Sequence, residues 1–114
     1  RETISDFREL EHESGQSMLE SVINLFLDTA PPVLTEARNA FGRRDSDLIA
    51  RAAHTLKGSC SNFGAKRMRE ACERLEMASL RGDLDVVEKM LDEVEREFSY
   101  VRIALEHELP ANPQ

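Results

Sequence analysis

The sequence contains no tryptophan, and its aromatic share is only 5%. Strands are enriched in aromatic side chains, so this scarcity argues against a sheet protein. Glycine (5) and proline (4) are confined to a few places, which leaves long stretches without a turn signal. Cysteine occurs only at Cys60 and Cys72, too few for a disulfide framework and without metal-ligand spacing. Both lie among apolar neighbours and read as small core residues of a protein in a reducing compartment. No apolar run approaches the roughly 20 residues of a membrane span, and the start lacks the basic and apolar regions of a secretory signal. The expectation is a soluble, cytoplasmic chain without membrane contact. Basic residues are outnumbered 15 to 22, and a net charge of -7 argues against nucleic acid as the main partner.

What is present favours helices. The 114 residues suit one domain, and Ala, Leu, Glu and Arg dominate. Charge is unevenly spread: residues 1–42 carry 3 basic and 8 acidic side chains, residues 43–74 carry 8 and 4, and residues 75–114 carry 4 and 10. A basic middle third in an acidic chain suits an anionic ligand or an acidic partner.

Apolar periodicity marks the elements. Ile4, Phe7 and Leu10 predict a short helix from Thr3 to about Glu13, punctuated by Gly15. A second helix starts near Gln16 with Met18, Leu19, Val22, Phe26 and Thr29 on one stripe, widened by Ile23 and Leu25. Pro31 and Pro32 are expected to kink or interrupt it. Val33, Leu34, Ala37 and Phe41 then resume the spacing up to a stop at Gly42. Asp45 or Ser46 can cap a third helix with Ile49, Ala53, Leu56, Cys60 and Phe63 inward, ended by Gly64. Met68, Ala71, Cys72, Leu75 and Ala78 line a fourth helix from about Ala65 to Leu80, closed by Gly82. Asp83 can cap the last, where Leu84, Val87, Leu91, Val94, Phe98, Val101 and Leu105 recur at steps of three and four. The reading is all-α: an antiparallel up-down four-helix bundle with a short additional N-terminal helix, one domain over residues 1–109 and a disordered tail over 110–114.

The third helix carries the chemistry. At about 100° per residue, Ala53, Leu56 and Cys60 centre the buried stripe while His54 and Gly58 fall opposite, so His54 is expected to be exposed. Glycine inside a helix costs about 1 kcal/mol relative to alanine, so Gly58 needs a reason. Helical side chains lean toward the N-terminus, and a side chain at 58 would cover the ground beside the His54 ring. Its absence leaves room for a phosphoryl group or a partner; close helix packing is the competing explanation. Lys57, one turn from His54, can offer charge-assisted hydrogen bonds to phosphoryl oxygens on a ring nitrogen. A neutral imidazole is a nucleophile at physiological pH.

The run Ala53-His54-Thr55-Leu56-Lys57-Gly58-Ser59, followed by Asn62-Phe63-Gly64-Ala65, resembles the signature of histidine phosphotransfer domains. The similarity extends to Phe26-Leu27-Asp28 before Pro31, Asp45, Leu75-Glu76 and Gly82-Asp83, and is nearer to the domains attached to hybrid sensor kinases than to those of chemotaxis kinases. The resemblance implies that His54 accepts phosphate on Nε2, that Lys57 supports it and that Gly58 keeps the site open. It also implies a partner, a receiver domain whose phosphorylatable aspartate lies in an acidic, Mg²⁺-binding pocket; no cofactor is expected in this chain itself. Such a receiver docks around the histidine, which makes Ser61 and an apolar patch of Ile4, Phe7, Met18 and Val22 candidate contacts.

His12 and His107 lie on acidic stretches without a companion nucleophile and read as surface residues. The chain lacks a Gly-rich phosphate loop and a paired acid and base, so it is expected to be a carrier with no kinase activity of its own, acting as a monomer. The alternative from another class is a helical docking module that is never phosphorylated. A metal site in the bundle would need inward carboxylates and Glu-x-x-His pairs, which are missing.

Overall fold

Two aspartates decide where two helices begin. The Asp45 carboxylate accepts a hydrogen bond from the Leu48 N–H at 3.1 Å, and Asp83 accepts one from Val86 N–H at 3.3 Å, satisfying donors that have no partner in the first turn. The computed structural model describes the backbone of residues 4–63 and 65–109, and side chains for residue 15 and from residue 17 onward. It contains α1 (Ile4–Gly42), α2 (Ser46–Cys60), a 3-10 turn (Ser61–Phe63), α3 (Lys66–Arg81) and α4 (Leu84–Glu108). Short connections make successive helices antiparallel, and α1 also packs against α4 to close the bundle. No strand occurs among the described residues.

The separate N-terminal helix is corrected: the first two segments are a single helix of 39 residues. Gly15 stays helical, a cost of only about 1 kcal/mol relative to alanine. Pro31 and Pro32 do not interrupt it either. Both are exposed, so water can reach the carbonyls of Leu27 and Asp28 that lose their N–H partners. Buried Phe26 and Ala30 before them, and Leu34, Ala37 and Ala40 after them, hold the helix to the bundle.

That stripe differs from the expected one. Ile23 and Phe26 are buried, but Met18 is 69% and Leu25 63% exposed, and Thr29 is exposed with its hydroxyl donating to the Leu25 carbonyl at 2.7 Å. At 1.5 Å per residue, α1 is about 58 Å long against about 22 Å for α2. α1 therefore outruns α2 and leaves Met18 uncovered, whereas Leu25, between buried Ile23 and Phe26, lies on the face turned to solvent.

The core is continuous through all four helices. The inward residues expected on α2 to α4 are buried or half-buried, including Ile49, Leu56, Met68, Leu75, Val87, Leu91 and Val94. Cys60 and Cys72 are free thiols with no exposed surface, and the hydrogen bond to the Cys60 thiol, with burial second, holds the Cys72 proton on. At one end Phe26 packs edge-on against Phe63 at 5.2 Å and beside Phe98 at 5.8 Å. Arg38 ties α1 to α4 through Asp92 (2.7 Å) and Glu95 (2.6 Å). Gly82 ends α3 with a left-handed φ of 73°, a conformation glycine adopts at little cost. After α1 the left-handed residue is Arg44 (φ 59°) rather than Gly42.

Leu75 is fully buried at the centre of α3. Leu75→Ala is expected to cost about 2–5 kcal/mol through lost transfer energy and the cavity left behind. Urea unfolding measures this, and a loss below about 1 kcal/mol would show that the site collapses around the gap.

Candidate functional site

On α2, burial of Ile49, Ala52, Ala53, Leu56 and Cys60 turns the opposite face to solvent. Asp47, Arg51, His54, Thr55 and Gly58 are all exposed there. The His54 side chain is 69% exposed, as its place on the helical wheel requires. A neighbour on α3 orients it: Nδ1 lies 3.1 Å from Oε2 of Glu76, whose side chain is only 18% exposed. A carboxylate can only accept, so Nδ1 carries the proton in this contact. The lone pair of the neutral ring is then on Nε2, the nitrogen left for an incoming electrophile.

Glu76 also accepts a hydrogen bond at Oε1 from Lys57 Nζ at 2.9 Å, and Glu73 lies 3.8 Å from the same ammonium. One carboxylate thus holds both the ring and the lysine. Lys57 is one turn from His54, and its charge is engaged on α3.

The Lys57 hydrogen bond holds the Glu76 carboxyl below its ordinary value of 4.5, and the same bond raises Lys57 above 10.5. Glu76 is depressed on folding, so its contribution to stability is complete above 4.5 and is lost as pH falls through the lower folded value. For Lys57 the contribution is complete below 10.5 and is lost as pH rises through the raised value. Glu76→Gln is expected to flatten the acid loss of stability below the ordinary carboxylate range. Urea midpoints measured on both proteins from about pH 7 to about pH 3 check this, and parallel curves would refute it.

Gly58 faces open space: a Cβ built there meets nothing within 4 Å. Ser61 caps the end of α2, with its hydroxyl donating to the Lys57 carbonyl at 3.4 Å. Met18 and the half-buried Val22 line a groove of about 330 Å³ with Leu19 and Asn62. The side chains of Ile4, Phe7 and His12 lie outside the described residues. His107 is exposed in the last turn of α4. The basic island is partly neutralised, since Arg67 and Arg74 pair with Glu97 and Glu93 of α4 at 3.5 and 2.7 Å.

Glu76 is the residue for which sequence reasoning assigned no role. It stood in the similarity beside Leu75, but nothing local says that it meets His54. Reasoning also passed over Arg51 and Leu80, which with Asp47 and Thr55 line a groove of about 530 Å³ beside the His54 ring. No described group of three or more His, Cys, Asp or Glu side chains could hold a metal ion, and no described helix is long and apolar enough to cross a membrane.

Comparison with known proteins places this arrangement. The Hpt domain family matches residues 21–108. The sensor protein TorS of Escherichia coli is 37% identical over 70 residues, which are 61% of this chain and 8% of TorS. Pseudo histidine-containing phosphotransfer protein 1 of Oryza sativa is 26% identical over 92% of this chain and 57% of that protein. Histidine-containing phosphotransfer protein 1 of Arabidopsis thaliana is 25% identical over 87% of this chain and 66% of that protein. In each case the chain spans less than two thirds of the relative's length. The crystal structure of histidine-containing phosphotransfer protein B from Pseudomonas aeruginosa superposes with a TM-score of 0.72 at 28% identity, covering 91% of this chain and 87% of that one. With the match extending over most of the bundle and enclosing the exposed histidine of α2, this chain belongs to the family of Hpt domains.

Proposed function

We propose that this chain is a phosphocarrier in a phosphorelay, accepting a phosphoryl group on His54 from a receiver-domain aspartate and relaying it to, or back from, another receiver. One observation carries the reading: His54 is 69% exposed while its Nδ1 is anchored to Glu76 at 3.1 Å. That leaves Nε2 both unprotonated and accessible.

In the transfer, Nε2 attacks the phosphorus of the aspartyl phosphate in line. The Nε2–P bond forms as the P–O bond breaks, and the aspartate leaves as a carboxylate. The ring becomes positively charged because Nδ1 keeps its proton, already hydrogen-bonded to the Glu76 carboxylate, so no proton has to move in either direction. The Glu76 carboxylate stabilises that charge. Lys57 serves phosphoryl oxygens by turning from Glu76, a short swing for a flexible ammonium. Gly58 keeps the approach open.

Mg²⁺ and the in-line geometry belong to the receiver, whose acidic pocket is drawn to the basic residues of the middle third that have no ion pair among the described residues. Met18 and Val22 supply apolar contact, with Ile4 and Phe7 on the same helix and Ser61 at the rim. The domain, residues 1–109, acts as a cytoplasmic monomer without kinase activity or a cofactor of its own.

The test is to mix the chain with a phosphorylated receiver and follow acid-labile, base-stable label. Label on the chain is expected, and its absence overturns the proposal. The likeness to proteins named pseudo histidine-containing phosphotransfer proteins favours one second reading, a docking module that binds a signalling partner unphosphorylated. Receiver binding without label would select it.

A further inference from the structure

We propose, building on the phosphocarrier reading, that Arg51 holds the phosphoryl oxygens of phosphorylated His54. Three observations converge on it. Helical side chains lean toward the N-terminus, so the His54 ring covers the turn before it, where Ala50 and Arg51 lie. The groove beside the ring opens on that side: Arg51, Thr55 and Leu80 line it, whereas Lys57 and Gly58 do not. A phosphoryl group on the ring can enter this space, which His54 and Arg51 both line. The two cations also differ in availability, because Lys57 is held by Glu76 and Glu73 while exposed Arg51 has no ion pair among the described residues.

The guanidinium suits the task, since its fork of N–H donors can take two phosphoryl oxygens at once. The other charges facing the phosphoryl position are Asp47 on α2 and Glu76 on α3, with Lys57 behind Glu76. Asp47 lies one turn from Arg51 on the same helix and makes no ion pair with it. Arrival of a dianion then draws Arg51 toward the ring. The two cations then share the load, with Lys57 holding Glu76 beside the ring until it turns to the phosphoryl group and Arg51 meeting the oxygens on the groove side.

A docking residue changes forward and reverse transfer rates together and leaves the equilibrium between aspartyl and histidyl phosphate unchanged. A residue that binds the phosphoryl group on histidine moves that equilibrium. Arg51→Gln is therefore expected to shift it toward the receiver by about two- to fivefold, the range of an exposed charge pair, with Arg51→Lys restoring part of the loss. The whole chain can also be loaded with phosphoramidate, with no receiver present, and its ³¹P resonance titrated; His54→Gln identifies the signal. Arg51→Gln is expected to raise the titration midpoint of the phosphoryl group. An equilibrium and a midpoint equal to the parent's overturn the proposal, as does a change confined to rates. Failure of the parent to take label from any receiver concerns the carrier reading instead, and the phosphoramidate titration still decides for Arg51.

Discussion

His54→Gln is expected to abolish transfer of label from a phosphorylated receiver while leaving the fold intact. Glutamine has no nucleophilic nitrogen, but its amide can donate to Glu76 as the ring does. The position is 69% exposed at the side chain, with no core contact to lose. Stability should stay within about 0.5 kcal/mol of the parent, as for ordinary surface changes. Glu76 keeps its 2.9 Å bond to Lys57, so the α2–α3 contact survives. The measurement pairs a time course of acid-labile label with a urea unfolding curve. Label equal to the parent's would move the acceptor to His12 or His107 and remove the central claim.

Gly58→Leu is expected to affect stability and function in opposite directions. Leucine is favoured over glycine in a helix interior by about 0.8 kcal/mol, and a Cβ at 58 meets nothing within 4 Å. The urea midpoint should rise. Transfer should slow by about 100-fold, because the new side chain leans over the His54 ring and displaces the receiver from in-line geometry. Gly58→Ala should gain stability with a smaller loss of rate. A less stable Gly58→Leu protein would favour close packing as the reason for the glycine, and undiminished transfer would show that the space beside the ring is not used.

The periodic stripes of α2, α3 and α4 were legible because helices bury one face, and Leu56, Leu75 and Leu91 follow that rule wherever four helices share a core. Asp45 and Asp83 were legible as caps for a similar reason, since a short carboxylate before a helix satisfies N–H groups only a few residues away. The first helix was misjudged where local signals compete with packing. Gly15 and the two prolines each disfavour a helix, yet Ile23, Phe26, Leu34 and Ala37 are buried against the bundle. Met18 and Leu25 read as core because their spacing is helical, but spacing cannot say which part of a broad apolar face the neighbouring helices cover or how far they extend.

The sequence by itself determined that His54 points outward with Lys57 and Gly58 beside it, because all three lie within about one turn of one helix and 100° per residue settles their bearings. Only the tertiary structure decided which nitrogen of His54 is free. That depends on Glu76, 22 residues away on an antiparallel helix, and the register of α3 against α2 follows from how Met68, Cys72 and Leu75 pack rather than from any pattern around the histidine. The groove of Arg51 and Leu80 belongs to the same class. Its walls come from two helices whose bearings are local but whose meeting is set by the shared core.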